Sequence, residues 1–398
     1  MEGDTQPCKI AVVIPALGEG KQLWATLASL AANPIALLRQ TTVVVVINSR
    51  KDSDPALVKQ NYNDLTRLRD CHKRLDKFGQ LRLAWIDATS PTLQLPIKKG
   101  GVGLARKIGC ELIMTRLDQD GLLIQLDADT LVENNYLPAV SSTFANNNCA
   151  AAVIPFRHQR GIDSTQENAI NQYELYLRAH LLGLSWAGSP YAYHSLGSTI
   201  VCNKQSYIKA GGMNCRRAGE DFYFLQQLAK TSGVGRVGGT VVYPAARTSQ
   251  RTPFGTGQAI LNMCNGDREQ LFYAPQCYLI LQQWLKLVTT NSELSSEEIL
   301  EQSSIIDTAL TQFLMQEKFP VIWQRLSRTH KNLNRRILAF HEWFDALKTT
   351  RCIHHLSSTS YPVATAEYHV PNLLIMTGIE AGNSVEQWLE VLIRHQNS

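Results

Sequence analysis

A nearly continuous apolar run from Leu122 to Leu126 stops abruptly at Asp127-Ala128-Asp129, which sets two carboxylates one residue apart at the end of a strand-like segment. Such a run reads as a buried parallel strand, and the carboxyl ends of parallel strands open on the crevice where α/β sheets bind ligands. Two carboxylates in a partly desolvated crevice repel each other unless a cation lies between them, and a hard divalent ion that also bridges to substrate phosphates meets that need. The competing use is a turn or a helix cap, for which Asp and Thr130 are equally suited.

Three further clusters carry charge at positions where it can act. Gly219-Glu220-Asp221 precedes FYFLQQLAK, whose Phe222, Leu225 and Leu228 recur at helical spacing, so both acids fall at a helix amino end, either as caps or as working carboxylates. In Arg247-Thr-Ser-Gln-Arg251, two guanidiniums in an irregular segment suit a bidentate clamp on a diphosphate or pairing with surface acids. The loop ATSPTLQLPIKK (88–99) feeds Gly100-Gly101-Val102-Gly103 at a helix start, where backbone N–H groups, Lys98, Lys99 and Arg106 can cradle phosphate. Lys107 reads as part of that helix's solvated face. The glycines match neither a P-loop nor a dinucleotide fingerprint directly after the first strand.

These residues need a scaffold, and the first 156 residues supply a repeating one. KIAVVIPA (Lys9–Ala16) and TTVVVVIN (Thr41–Asn48) are β-branched runs flanking a helical segment from Glu19 to Ala32. A polar helix over 55–78 leads to a strand at Leu81–Asp87, and 100–117 reads as a helix with Leu104, Ile108 and Leu112 on its apolar face. The carboxylate strand follows, then CAAAVIPF (Cys149–Phe156), giving about five strands alternating with helices in a doubly wound sheet.

Composition bounds the remainder. With 398 residues, 44% hydrophobic and 18% charged, the chain supports a large core and no extensive disorder. A net charge of +5 suits anionic small molecules and does not point to nucleic acid. The start MEGDTQPCKIAVVIPA lacks the regions of a signal peptide, and no apolar run is long enough to span a bilayer, so a cytoplasmic protein is expected. Nine cysteines without a C-x-x-C pair read as reduced thiols, with Cys110, Cys149 and Cys202 in the core.

Taken in order, a first strand ending in Pro15-Ala16 with Glu19 just beyond, G-x-G-x-A-R at Gly101 to Arg106, LDAD at Leu126 to Asp129 and the acid pair Glu220-Asp221 resemble non-processive, bacterial-type family 2 glycosyltransferases. The resemblance covers roughly residues 9–260. It implies the GT-A fold, a mixed α/β sheet with flanking helices, and inverting transfer from a nucleotide-diphosphate sugar, with Mg²⁺ or Mn²⁺ on the D-x-D motif. Carried over by position, it implies Asp129 as principal metal ligand, Asp127 on the ribose and metal, and Asp221 as the base toward the acceptor hydroxyl. Pro15, Ala16, Glu19, Gly101, Arg106 and Ala128 fall on the donor side.

The sequence departs from that pattern in places. Asn48 stands where many members carry an acid against the nucleobase or ribose, Q-x-x-R-W is absent, and Arg247 or Arg251 stands in place of a metal-ligating histidine. A sugar-1-phosphate nucleotidyltransferase is the alternative enzyme, but Ala16-Leu17-Gly18-Glu19-Gly20 lacks the arginine of its first loop; a non-catalytic nucleotide- or glycan-binding relative is the other alternative. The expected organisation is a catalytic domain over 1–262, donor half 9–156 and acceptor half 157–262, followed by a helical appendage over 263–398. The acceptor side holds His158, His194 and the aromatics Trp186, Tyr191 and Tyr193, for a glycan, a glycolipid or a small hydroxyl compound. Arg325, Arg328, Lys331, Arg335 and Arg336 in the appendage form either a solvated face or a contact with the inner face of an anionic membrane.

Overall fold

The β-branched runs near the start form the centre of a sheet because, flanked on both edges and both faces, Val and Ile pack best where no side is wet. The structure, a computed structural model, describes residues 1–73, 78, 80–146, 149–249, 255–380 and 382–397. Two compact units are present: Met1–Ile170 with His194–Cys264 and Gln396–Ser398, and Asn171–Tyr193 with Asn265–His395.

The first unit begins with β1 (Glu2–Gly3), β2 (Cys8–Ala16), α1 (Lys21–Ala31), α2 (Ile35–Leu38), β3 (Thr41–Asn48), α3 (Pro55–Lys73) and β4 (Arg82–Ala88). It continues through α4 (Val102–Ile113), β5 (Leu117–Gln125), β6 (Leu131–Val132), α5 (Tyr136–Asn146), β7 (Ala151–Val153) and the start of α6 (Ser164–Trp186). A 3-10 turn at Gly197–Thr199, β8 (Ile200–Asn203), α7 (Lys204–Lys209), α8 (Glu220–Ser232), β9 (Gly235–Arg236), β10 (Val242–Tyr243) and α9 (Thr256–Cys264) complete it. Among the described residues the main sheet runs β1-β4-β3-β2-β5-β8-β7-β9, and β10 pairs with β6 in a second, two-stranded sheet. β4, β3, β2 and β5 are mutually parallel, and every residue of β3 is buried.

The expected α/β architecture is present, with two corrections. β7 does not extend the parallel series that the strand runs alone suggest, because β8 lies between β5 and β7 and is antiparallel to both; the sheet is mixed, as the resemblance implies. The helix expected over 100–117 ends at Ile113, and Leu117 opens β5 opposite Cys8. Its buried side is also not Leu104, Ile108 and Leu112: Leu112 is 44% exposed, and Gly103, Ala105, Arg106, Gly109, Cys110 and Ile113 face inward. A Cβ on Gly109 would stand 2.5 Å from Val13 Cγ1, so small residues let α4 lie close on β2 and β3, and the larger leucines turn outward. Cys110 and Cys202 are buried, while Cys149 is partly exposed.

The second unit is helical: α10 (Pro275–Thr290), α11 (Ser296–Ile306), α12 (Thr308–Gln316), α13 (Phe319–Thr329), α14 (Leu333–Trp343), α15 (Ala346–Thr359), α16 (Ala366–Thr377) and α17 (Val385–Asn397, whose last residues belong to the first unit). Ser295 and Glu298 form the reciprocal capping box at the start of α11. Trp284 anchors the core edge-on to Phe319, Phe340 and Phe344 at 5.2, 5.7 and 6.0 Å. His180 Nδ1 lies 2.9 Å from Tyr278 Oη and His354 Nε2 lies 3.0 Å from Tyr273 Oη, and burial lowers the pKa of both imidazoles, His180 to about 4. Among the described residues no helix is long and apolar enough to cross a membrane.

Candidate active site

At the carboxyl end of β2, the chain turns through Gly18-Glu19-Gly20, with both glycines at positive φ. Two side chains of α3 hold that turn: Gly18 N donates to Asn61 Oδ1 at 2.7 Å, and Gly20 N to Asp64 Oδ2 at 3.2 Å. Asp64 also accepts from the Trp24 indole at 3.2 Å, which ties the start of α1 to α3. Glu19 is thereby fixed at the strand end, with 7% of its side chain exposed.

The D-x-D turn is pinned from three directions. Leu126 N donates to Val13 O at 3.1 Å, extending β5 past its ladder, and Thr130 N closes the turn onto Asp127 O at 3.2 Å. Thr26 of α1 donates to Ala128 O at 3.0 Å, so Ala128 is buried and acts through its backbone. Ser198, in the 3-10 turn, donates to Asp127 Oδ2 at 2.5 Å and lies 2.8 Å from Thr130 Oγ1. A Cβ on Gly197 would fall 2.2 Å from Arg106 Nη2, so that glycine permits the turn to close over the pair.

Arg106 points inward from α4 and is 1% exposed. Its guanidinium donates to Asp127 Oδ1, to Glu220 Oε1 at 3.2 Å and to Gln125 Oε1 at 3.5 Å. Burial opposes its charge, but Asp127 and Glu220 outweigh burial and hold the guanidinium more firmly protonated than usual. Glu220 and Asp221 open α8 behind Gly219, an αL residue that has no side chain to cap the helix. Burial raises the Glu220 pKa against the pull of Arg106. Asp221, beside it and partly exposed, is pushed up to about 7, first by desolvation and next by the Glu220 charge.

Arg247 occupies the other side of the motif. The β6–β10 ladder pairs Leu131 with Tyr243 and so brings the segment after β10 back alongside Asp129. Gln159 staples the two, donating to Asp129 O at 3.0 Å and Tyr243 O at 2.7 Å. The guanidinium then reaches Asp129 Oδ2 through Nε at 2.7 Å, Glu19 through Nη2 at 2.9 Å and Gln22 through Nη1 at 3.0 Å. Among the described residues, Arg106 thus pairs with Asp127 and Glu220 and Arg247 with Asp129 and Glu19, with Asp221 next to Glu220, a cluster of hard oxygen donors.

The remaining expected residues fall as follows. Pro15 and Ala16 are buried at the end of β2 beside Val46 and Ile47. Asn48 is buried with its amide nitrogen committed to Ala16 O at 3.0 Å and Val46 O at 3.2 Å. Lys99 is exposed. Gly101 and Gly103 receive the loop before α8: added Cβ atoms would lie 2.9 Å from Arg217 Cα and 2.4 Å from Arg216 O. Arg251 lies outside the described residues. His158 and His194 both pack edge-on against Phe156, at 5.2 and 4.7 Å. Trp186, Tyr191 and Tyr193 belong to the second unit, where Tyr191 Oη donates to His341 O at 2.6 Å. Ser198, Gln159 and Gln22 are contacts the sequence reading did not single out.

No protein-family model matches the sequence, and neither does any curated protein. Among solved structures, the chain is similar to S. aureus TarS residues 1–349 in complex with UDP-GlcNAc, at 13% identity over 83% of this chain and 89% of that one, with TM-score 0.42. It is also similar to the mannosyltransferase PcManGT from Pyrobaculum calidifontis in complex with GDP-Man and Mn²⁺, at 11% identity over 100% of this chain and 90% of that one, TM-score 0.41. A third is glucosyl-3-phosphoglycerate synthase from M. tuberculosis, at 13% identity over 69% and 80% of the two chains, TM-score 0.33.

Proposed function

We propose that this chain is a GT-A glycosyltransferase of the family 2 type, moving a sugar from a nucleotide-diphosphate sugar to a hydroxyl of a glycan, a glycolipid or a small molecule with inversion at the anomeric carbon. The observation that carries the reading is the convergence of the D-x-D turn and the acid pair on one buried guanidinium, Arg106, at the carboxyl end of the parallel strands. The hard oxygen donors of Asp127 and Asp129 fit Mg²⁺ or Mn²⁺.

In this reading Asp129 and Asp127 would hold the ion, which would supply neutralising charge to the diphosphate. The acceptor oxygen forms its bond to the anomeric carbon as the carbon–oxygen bond to the diphosphate breaks, the electron pair leaving with the phosphate. Asp221 takes the hydroxyl proton, and a carboxylate raised to about 7 is a stronger base than an ordinary one. Arg247 stands beside Asp129 to meet the leaving charge. The 1–262 catalytic and 263–398 appendage division and a cytoplasmic setting belong to the same proposal.

The test is a thermal-shift panel of UDP-, GDP-, dTDP- and CMP-sugars with and without Mn²⁺, on the native chain and Asp129→Ala. A metal-dependent stabilisation by one nucleotide class, lost in the variant, is expected. Absence of a shift with every donor overturns the proposal.

A further inference from the structure

The metal side of the site already holds a cation of its own. Arg247 is linked to three separate acceptors: Asp129 on the D-x-D turn, Glu19 on the Gly18–Gly20 turn, and Gln22 in the first turn of α1. A guanidinium presents its donors as a rigid planar fork, so three acceptors fix its position as well as its charge. Two of the three belong to neither the D-x-D motif nor the acid pair. Glu19 and Gln22 keep Arg247 beside Asp129 even when Asp129 is taken by something else.

We propose that Arg247 is a resident counter-ion which makes divalent-metal binding conditional on the nucleoside diphosphate. This rests on the function proposed above and deepens it. A metal ion approaching alone meets an Asp129 already neutralised and a fixed positive charge at hydrogen-bonding distance from its ligand. Arrival of a diphosphate reverses the balance, since its oxygens are new acceptors for the guanidinium and new ligands for the metal. Arg247 then exchanges Asp129 for phosphate while Glu19 and Gln22 hold it in place. Metal and nucleotide therefore bind with positive coupling, and coupling between two ligands is reciprocal. Arg247 is a positioning residue toward the metal.

The experiment is titration of Mn²⁺ followed by the electron-paramagnetic-resonance signal of free Mn²⁺, with the full chain, alone and with saturating UDP or GDP. Wild type is expected to bind Mn²⁺ weakly alone and tightly with the matching diphosphate. Arg247→Met is expected to bind Mn²⁺ alone about tenfold more tightly, within the roughly 5- to 150-fold range typical of such couplings, with a correspondingly smaller gain from nucleotide. Arg247→Lys keeps the charge and should stay weak in Mn²⁺ alone, a split that loss of packing alone would not produce. Arg247→Gln serves as a second neutral variant should the methionine variant fold poorly. If wild type shows the nucleotide-dependent Mn²⁺ binding but neither neutral variant binds Mn²⁺ alone more tightly, the counter-ion role is overturned while the function stands. If no protein binds Mn²⁺ with any nucleotide, the proposed function falls, and this inference with it.

Discussion

Arg106 and Glu220 are 114 positions apart in sequence and 3.2 Å apart in space, and the same guanidinium also holds Asp127. The helix ahead of the D-x-D strand and the helix opened by the acid pair are thus fastened together at a point almost sealed from solvent.

Removing that fastening should be costly. Arg106→Met leaves Glu220 buried without its partner, and breaking one side of a buried ion pair typically costs about 3–5 kcal/mol. Urea unfolding should show a loss of that size. A loss below about 1 kcal/mol would mean that the pair is far more hydrated than its burial implies.

Asp221 links stability to pH. Its folded-state pKa of about 7 lies above the ordinary 3.8, so the folded chain retains a proton that the unfolded chain releases as pH rises between those values. The native state therefore loses stability over that interval. Asp221→Asn, which never ionises, should be more stable than wild type at pH 8, by on the order of 1 kcal/mol or more, and the gain should shrink at pH 5. Melting temperatures across that range check it. A gain independent of pH would remove Asp221 as its source.

The same substitution bears on turnover. Loss of a general base costs roughly 10²- to 10⁴-fold in rate, so Asp221→Asn should fall by that factor while nucleotide-sugar binding persists in calorimetry. In wild type, kcat/KM should rise with pH through about 7 as the carboxylate ionises. Full activity in the variant would end the base assignment.

Gly103→Ala tests the contact between α4 and the loop before α8. The new Cβ would stand 2.4 Å from Arg216 O and 2.8 Å from Asn214 O, both backbone atoms, so the loop must move. Overpacking of this kind costs about 1–3 kcal/mol, and displacement of Glu220 and Asp221 should lower turnover further. Unchanged kinetics would show that the acid pair is positioned independently of this contact.

Within the basic run of the helical unit, Arg335 and Arg336 should behave oppositely. Arg335 is exposed, and its replacement by Ala should stay within about 0.5 kcal/mol of wild type. Arg336 is 8% exposed and donates to Ser292 O at 2.6 Å and His330 O at 3.2 Å, so Arg336→Ala strands the buried Ser292 carbonyl and should cost about 1–3 kcal/mol. Equal effects in denaturant titrations would contradict this division.

The parallel core was legible because β2 and β3 are nearly uninterrupted Val and Ile, a pattern set by burial on every side. The acids of the site were legible because carboxylates rarely follow such a run without a partner. What sequence did not show were the partners themselves. Arg106 shares a helix with the exposed Lys107, and periodicity around Leu104, Ile108 and Leu112 pointed to the wrong face; only the close approach of Gly109 to Val13 turns the arginine inward. Likewise the reach of Arg247 to Asp129 depends on a two-residue ladder and on Gln159, which are long-range contacts with no local signature. The insertion of β8 was hidden for the same reason: Ile200, Val201 and Cys202 fit a parallel or an antiparallel slot equally well.

The buried imidazoles of the helical unit set a lower limit on the conditions under which the protein can be handled. His180 is held neutral by burial and by the nearby His354, with Tyr278 as its hydrogen-bond partner, and its folded pKa of about 4 lies below the ordinary 6.5. As pH falls through that interval the unfolded chain takes up protons that the folded one refuses, and stability present above 6.5 drains away. Acid elution and low-pH storage therefore endanger this molecule through the buried histidines of its helical unit.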